Sequence, residues 1–201
     1  MTGIDKIAVT TPVAVSAPGP VKGFSGVAGD SIGDAQSHGG NDQAVYAYAR
    51  EDLDWWEAEL GRELPPGLFG ENLTTQGVSL NDALIGEVWR VGDELELRVT
   101  FGRVPCVTFQ AKMAEPHWVK RFARANRTGA YLRVVTPGTI RAGDPISIVH
   151  RPARSVSLAD AFEIYMFDRP RLAHLLTAEN LPEEARREVE EHLARGRGSD
   201  L

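Results

Sequence analysis

The strongest pattern of apolar and polar positions in the chain is a strict alternation between residues 94 and 101. Every second residue there is apolar, namely Leu95, Leu97, Val99 and Phe101. A period of two predicts a strand with one buried face. The preceding Gly92-Asp93 is a two-residue turn that would join this strand to another at 87–91, so the pattern predicts a hairpin.

Shorter apolar runs rich in Val, Ile and Thr predict further strands, at residues 4–10, 12–17, 44–49, 130–135 and 145–150. Two other stretches have the spacing of a helix. One runs from Arg50 to Leu60, and the other begins at Glu115-Pro116. Strands therefore dominate this part of the chain. Short strands separated by turns predict a mainly β fold, a closed or nearly closed antiparallel barrel with inserted helices.

The pattern changes after the last predicted strand. A linker at 151–154 is followed by three segments with helical spacing, the first opened by Ser157 as a capping residue. We predict a barrel domain at 1–153, a three-helix segment at 155–195 and a disordered tail at 196–201. Three helices this short cannot bury their own leucine stripes. We therefore expect them to pack on the barrel or on a partner, which a second copy of the chain would provide in a homodimer.

The composition narrows the class of protein. A net charge of −6 argues against nucleic-acid binding, which relies on a basic face. No apolar run approaches the roughly 20 residues that cross a bilayer, and the first residues lack the pattern of a secretory signal. One cysteine in 201 residues cannot form an internal disulfide, which favours a reducing, cytoplasmic location.

That single cysteine, Cys106, lies where the alternating strand ends. Pro105 before it removes a backbone donor and predicts that strand pairing stops and a loop begins. Arg103, three residues earlier, would favour the thiolate, the form of cysteine that attacks electrophiles or binds metal. The residues alone leave a second interpretation open, in which Cys106 is a small buried apolar side chain.

A polar, glycine-rich segment at 29–42 carries a second group of candidate residues. An acidic residue or histidine recurs there every four positions, at Asp30, Asp34, His38 and Asp42. Interior glycines each cost a helix about 1 kcal/mol relative to alanine, so we predict a loop. Gly39-Gly40 would let the backbone approach a ligand closely, and His38 would donate, accept or bind metal. Equally open is a turn in which the aspartates only cap backbone amides.

Two polar residues, Glu71 and Asn72, interrupt an otherwise strand-like run. If they are buried, each needs hydrogen-bond partners, because an unsatisfied polar group costs about 1–3 kcal/mol. They are candidates for a structural hydrogen-bond network or for a site.

Seven short motifs, taken in their order and spacing, resemble those of the MOSC domain. They are Gly29-Asp30, His38-Gly39-Gly40, Asp42-Gln43-Ala44-Val45, Gly70-Glu71-Asn72-Leu73, Ile85-Gly86-Glu87, Arg103-Val104-Pro105-Cys106 and Gly143-Asp144. The resemblance extends from about residue 4 to residue 195. With its three C-terminal helices, the chain is similar to the YiiM-type branch of that superfamily.

The resemblance implies a β-barrel that binds the molybdenum cofactor, a pterin dithiolene ending in phosphate. It also implies reduction of N-hydroxylated compounds, such as base analogues of the N-hydroxylaminopurine type, with Cys106 as the thiolate ligand of molybdenum. The residues that it assigns to the cofactor pocket are His38, Gly39, Gly40, Asn72 and Arg103, with Arg133 added by a looser match. Tyr46 departs from the family pattern, since some relatives carry histidine there.

The chemistry of such a reductase assigns further roles. Molybdenum is thiophilic and can accept a protein thiolate beside two dithiolene sulfurs. The phosphate of an anionic cofactor would be met by arginine forks and glycine-loop amides. His38 is the side chain expected to deliver the proton, because its charge changes near neutral pH. Electrons for the N-hydroxylated small molecule would come from an external donor protein.

Other functions would use the same residues. Cys106 would serve a carrier of persulfide sulfur, which requires only a reactive thiolate. Asp30, Asp34, His38 and Asp42 would hold a hard divalent ion in a hydrolase. A binding module without catalysis is the remaining alternative.

Overall fold

The computed structural model describes residues 3–197. The strands within this range are β1 (Val13–Val15), β2 (Val45–Ala49), β3 (Leu73–Thr75), β4 (Val88–Val91), β5 (Leu95–Phe101), β6 (Ala130–Thr136), β7 (Gly138–Ile140) and β8 (Ile146–His150). The helices are α1 (Arg50–Leu60), α2 (Val107–Met113), α3 (Trp118–Ala125), α4 (Leu158–Phe167), α5 (Leu172–Leu175) and α6 (Glu183–Arg197). Single 3-10 turns lie at Asn41–Gln43 and Arg169–Arg171.

Six of these strands form one sheet in the order β3-β2-β6-β5-β4-β8, and β1 pairs with β7 separately. The predicted fold class, mainly β with inserted helices and a C-terminal helical segment, is confirmed. Two details of the predicted barrel are wrong. The sheet is open, with β3 and β8 as its edges within the described residues. β2 and β3 are parallel, because α1 connects them as a crossover.

The long periodic elements were predicted well, and short apolar runs were not. The hairpin of β4 and β5 and the helix α1 lie where the pattern placed them. Residues 4–10 are not a strand: Ile7 is 89% exposed and Val9 is 55% exposed. Their β-branched side chains have no neighbouring strand to pack on, so local propensity alone did not make one.

The predicted loop after Cys106 is also wrong, because α2 begins at the next residue. Only Phe109 and Met113 are buried in this helix, too few to reveal a helical period in the sequence. They belong to an aromatic cluster shared with α1 and α3, whose largest members are Tyr48, Trp56, Phe69, Phe109, Trp118 and Phe122. The cluster anchors α2 and so fixes Cys106 beside the sheet.

The C-terminal helices share the main hydrophobic core with the sheet. Buried members of that core from both parts include Leu95, Leu97, Val99, Leu158, Ile164 and Leu175. The oxygen of Ser157 accepts the Asp160 N–H at 3.2 Å and caps α4. The helices therefore pack on the sheet, which is one of the two arrangements expected.

The last helix is longer than the sequence indicated. It continues to Arg197, so residues 196 and 197 of the predicted disordered tail are helical, and residues 198–201 lie outside the described range. Across residues 3–197, no helix combines the length and the apolar character needed to span a bilayer.

Candidate active site around Cys106

Cys106 is the N-cap residue of α2, five residues after β5 ends in Phe101. Its backbone is extended (φ −123°, ψ 171°), and its carbonyl accepts the Gln110 N–H at 3.1 Å. The side chain makes no regular capping hydrogen bond, but it lies close enough to the Phe109 N–H to be affected by it. The thiol therefore stands at the positive end of a short helix on a rigid strand-to-helix connection.

The surroundings of Cys106 favour its thiolate. A hydrogen bond from His38 lowers the pKa of the Cys106 thiol to about 6, although partial burial opposes that change. The Phe109 N–H and the Arg103 guanidinium act in the same direction as His38. With such a pKa most of the cysteine is ionised at neutral pH, which is typical of a reactive or metal-binding cysteine.

His38 lies between Cys106 and Asp34. The Asp34 Oδ2 atom is 3.6 Å from His38 Nδ1. The other oxygen, Oδ1, accepts the Gln36 and Ser37 N–H groups at 3.2 and 3.3 Å. These hydrogen bonds fix the carboxylate, and the carboxylate in turn orients the imidazole toward the thiol.

Arg103 supplies a buried positive charge to the site. Only 6% of it is exposed, and its guanidinium lies 4.2 Å from the centre of the Phe109 ring and 5.2 Å from that of Tyr46. One nitrogen, Nη1, donates to the Phe69 carbonyl. The Nε atom is buried and has no hydrogen-bond partner among the described residues. A buried donor without a partner is costly, so this atom is suited to an anionic ligand.

Glu71 belongs to a structural hydrogen-bond network that holds Phe69, whose carbonyl accepts from Arg103. It is 3% exposed, and its carboxylate accepts the N–H groups of Gly67 at 2.6 Å and Phe69 at 3.0 Å. The Thr74 hydroxyl also donates to it, at 3.0 Å. Of the two alternatives left open by the sequence, Glu71 therefore fits the structural one.

Asn72 connects the 29–42 segment to β2. Its Nδ2 donates to Asp30 at 2.8 Å, and its Oδ1 accepts the Tyr46 N–H at 2.9 Å. Lys6 and Ser25 donate to the same Asp30 oxygen at 2.5 and 2.7 Å. Burial alone would raise the pKa of Asp30, but these hydrogen bonds hold it below its usual value. Asn72 faces the cavity described below while both ends of its amide are engaged by the protein.

Three residues assigned by the resemblance have protein partners rather than open donors. The Gly39 N–H donates to Gln43 Oε1 at 3.1 Å, and the Gly40 N–H donates to the Phe24 carbonyl at 2.9 Å. Gly39 has a φ of 85°, and a Cβ atom there would lie 2.7 Å from the Phe24 oxygen. The glycines thus serve close backbone packing. Arg133 binds Asp42 at 2.7 Å and lines neither cavity at the thiol.

Two cavities meet at Cys106. The first has a volume of about 210 Å³ and is lined by Lys6, Asn72 and Arg103 among others. The second has a volume of about 350 Å³ and reaches the C-terminal helices. Both are lined by Asp34, His38, Gln43, Cys106 and Tyr131. The structure therefore brings Cys106, His38, Gly39, Asn72 and Arg103 together, and it leaves Gly40 and Arg133 outside the lining.

Sequence reasoning missed Lys6 and Tyr131. Lys6 lies in a segment wrongly predicted as a strand, and nothing in its neighbours indicates a contact with Asp30. Tyr131 is two residues from Arg133 on β6, so strand alternation places both on one face. The two-residue spacing from Arg133 was therefore the signal in the sequence from which Tyr131 could have been predicted as a site residue.

The acidic segment does not form a divalent-metal site. Asp30 is bound to Lys6 and Asp42 to Arg133, so their carboxylates point to different partners. Among residues 3–197, no three His, Cys, Asp or Glu side chains are grouped to hold a metal ion. The hydrolase alternative is therefore not supported.

Comparison with known proteins identifies the family. A family model of the MOSC domain matches residues 34–147, more than half of the chain. The chain belongs to the MOSC domain family. The matched range contains His38, Asn72, Arg103 and Cys106, and the resemblance inferred from the motifs is confirmed.

Individual proteins are also similar to this MOSC chain. The crystal structure of YiiM from Geobacillus stearothermophilus superposes with a TM-score of 0.80 at 29% identity, over 96% of this chain and 90% of that one. The uncharacterised protein YflK of Bacillus subtilis is 34% identical over 144 residues, 72% of this chain and 65% of YflK. A protein named reductase from Gibberella moniliformis is 35% identical over 131 residues, 64% of this chain but 23% of its own length. The MOSC chain thus spans less than two thirds of these last two relatives.

Proposed function

We propose that the protein is a reductase of N-hydroxylated compounds that works with the molybdenum cofactor. The observation that carries the proposal is the pairing of a thiolate, Cys106, with the incompletely bonded, buried guanidinium of Arg103 in one cavity. Membership of the MOSC family and a relative named reductase support it.

The residues of the first cavity fit such a cofactor. Cys106 offers the soft sulfur ligand that molybdenum prefers. Arg103 offers an unpartnered donor in a buried position, and the ion pairs of the described residues include no carboxylate for it. Lys6 adds a second cation, which is already paired with Asp30. Because the Gly39 and Gly40 amides are used within the protein, anion binding here rests on side-chain cations.

The protein's own part in the reaction is to position the substrate and to move protons. When bound, the cofactor would supply the electron pair that breaks the N–O bond. Reduction of an N-hydroxyl compound takes up two electrons and two protons and yields the parent amine or imine with water. His38, held between Asp34 and Cys106, carries a proton on a ring nitrogen at the boundary of the two cavities. An external electron-donor protein supplies the two electrons that each turnover consumes.

The proposal is tested by exchanging the sulfur ligand. Cys106→Ser and the control Val107→Thr, at a neighbouring position that is 79% exposed, are purified from a host that makes the cofactor. We expect the wild type and the control to contain molybdenum and to reduce an N-hydroxylated compound with a chemical reductant. Cys106→Ser should melt like the wild type but lose the metal and turnover. Full activity in the serine variant would refute the thiolate-ligand role.

The low pKa of the thiol also suits a persulfide carrier. Such a carrier would need neither the unpartnered Arg103 donor nor a second cavity. Stoichiometric, thiol-reversible sulfur on Cys106 in protein free of molybdenum would favour the carrier over the reductase.

A further inference from the structure

One wall of the first cavity is formed by the N-terminal segment of the chain. Residues 3–12, here called the N-terminal strap, precede β1 and belong to no helix or strand. Within the range 3–197, the backbone of residues 6–12 makes no hydrogen bond to other backbone groups. Three strap residues, Gly3, Ile4 and Lys6, nevertheless line the first cavity. The candidate cofactor cavity is therefore bounded by a segment without regular secondary structure.

The strap lies against two glycines that leave room for it. A Cβ atom at Gly67 would lie 2.8 Å from the Lys6 carbonyl oxygen, and one at Gly70 would lie 3.0 Å from a side-chain carbon of Ile4. The φ angles of Gly67 and Gly70 are 89° and 78°, a conformation that glycine adopts without strain. These two glycines therefore form a shaped seat, and the closed position of the strap is specified by the sequence.

Side chains hold the strap in this seat. Lys6 Nζ lies 2.5 Å from Asp30 Oδ2, and only 15% of the lysine side chain is exposed. Burial lowers the pKa of Lys6, and the hydrogen bond to Asp30 opposes that change, so the buried ammonium depends on this partner. Ile4 is 8% exposed and packs in the aromatic cluster. Directly after Lys6 the strap turns to solvent, since Ile7 is 89% exposed.

The size of the first cavity indicates that the strap has to move. The volume of about 210 Å³ is below the roughly 300–1,000 Å³ of pockets that enclose drug-sized ligands. A pterin that carries a metal and a phosphate belongs to that size class. The other walls are more firmly held, because Tyr46 and Tyr131 lie on paired strands and Cys106 caps a helix. The strap, held by side-chain contacts, is the wall that opens at the lowest cost.

We propose that the N-terminal strap is a lid over the first cavity, which opens to admit the cofactor and closes to retain it. Opening separates Lys6 from Asp30 and exposes Ile4, so the empty protein is closed most of the time. An anionic group in the cavity adds a negative charge near Lys6 and favours the closed strap further. This inference rests on the proposed reductase function, because it concerns the retention of the cofactor that the reductase needs.

Trypsin cleavage after Lys6 measures how often the strap is open. The protease has to bind the lysine side chain, which is buried in the closed strap. The released peptide is quantified by mass spectrometry, for protein prepared without cofactor and for protein from a host that makes it. We expect cleavage at Lys6 to be about tenfold slower in the loaded protein, the effect of a ligand at about ten times its Kd. Cleavage after Arg154, which is exposed in the linker before α4, should be equal in both.

Gly67→Ala and Gly77→Ala form a matched pair of variants. Both place a Cβ atom on a residue with positive φ, 89° and 76°, and so carry similar backbone strain. The new atom meets the strap only at Gly67, because no heavy atom lies within 4 Å of it at Gly77. Gly67→Ala should therefore be cleaved faster at Lys6 and lose molybdenum faster on dialysis, by about fivefold for roughly 1 kcal/mol. Gly77→Ala should match the wild type. Ile4→Ala, which shortens the buried anchor and leaves the seat intact, should act in the same direction as Gly67→Ala.

The results separate the lid from the proposed reductase. A wild type that contains molybdenum and turns over, but is cleaved at Lys6 equally with and without cofactor, keeps the reductase and overturns the lid. Equal molybdenum loss from Gly67→Ala, Ile4→Ala and Gly77→Ala also overturns the lid. A wild type that takes up no molybdenum overturns the reductase. The lid then stands if inorganic phosphate, titrated as a small anion, slows cleavage at Lys6 but not at Arg154, and it falls if phosphate slows neither.

Discussion

Tyr46 and Tyr131 are opposite each other on β2 and β6, with ring centres 5.0 Å apart, yet their hydroxyls have different surroundings. The Tyr46 hydroxyl donates to the Thr128 carbonyl at 2.8 Å and is buried. The Tyr131 hydroxyl makes no hydrogen bond to another residue of the range 3–197, and the residue lines both cavities. One tyrosine is therefore engaged in the fold, and the other is available to a ligand.

Tyr131→Phe should lower turnover without changing stability. Burial raises the pKa of Tyr131, so its hydroxyl is a donor at neutral pH and can hold the oxygen of an N-hydroxyl group. Loss of one such hydrogen bond corresponds to about tenfold in kcat/KM. Steady-state kinetics with a chemical reductant measures this, and urea unfolding measures stability.

Tyr46→Phe is the matched variant for that experiment. It leaves the Thr128 carbonyl buried and unpaired, which costs about 1–3 kcal/mol of unfolding free energy. If Tyr131→Phe instead loses stability and keeps its turnover, the distinction between the two hydroxyls is incorrect.

The reactivity of Cys106 should follow the pKa that its neighbours impose. A thiolate exists above the pKa of its thiol, so alkylation by iodoacetamide in cofactor-free protein should rise with pH through a midpoint of about 6. His38→Ala removes the largest favourable contribution and should shift the midpoint upward. The rate at pH 7 should then fall by about tenfold, because most of the thiol is protonated.

His174→Ala is the control, since that histidine is exposed and lines neither cavity. Two results would contradict the role of His38 in lowering the pKa of Cys106. One is a wild-type midpoint near the ordinary cysteine value, and the other is the same midpoint in wild type and His38→Ala.

The sequence was most informative where a pattern extended over several residues. The alternation in β5 and the helical spacing of α1 each involve at least seven residues, so burial leaves a clear period. The ordered motifs also predicted that His38, Asn72, Arg103 and Cys106 share a site. This worked because each motif occupies a strand end or loop of the same sheet.

What the sequence missed depends on contacts between distant residues. α2 is buried through two side chains only, and the contact of Lys6 with Asp30 joins residues that are 24 positions apart. The glycines show the same dependence on distant contacts. Gly39-Gly40 does permit close approach, and the sequence did not indicate that the backbone at Phe24 is one of the close neighbours of Gly39, which also lines the first cavity.

Asn72→Ala should destabilise the protein because it breaks two links at once. The Tyr46 N–H loses its acceptor, and Asp30 loses one donor. We expect a loss of about 1–3 kcal/mol in the free energy of unfolding, measured by urea denaturation of cofactor-free protein. Asn81→Ala, in the loop between β3 and β4 where the side chain makes no hydrogen bond within residues 3–197, should change stability little. Equal stability of both variants would show that the link between the 29–42 segment and β2 is dispensable.

Arg103→Lys tests whether the buried guanidinium binds the cofactor. Lysine keeps the charge but loses the planar fork and the stacking on Phe109 and Tyr46. Some loss of stability is expected, about 1–2 kcal/mol for the stacking, so the metal must be measured per folded chain. We predict that molybdenum per folded monomer falls by about tenfold, with faster loss of the metal on dialysis.

The control for this variant is Arg98→Lys, which makes the same exchange on β5 at a residue that lines neither cavity. It should keep the wild-type molybdenum content. If folded Arg103→Lys protein also keeps the wild-type molybdenum content, Arg103 does not bind the cofactor and its role is limited to packing in the aromatic cluster. The anionic end of any cofactor would then have to be met by Lys6, the remaining cation of the first cavity, and Lys6→Gln would become the variant that loses the metal.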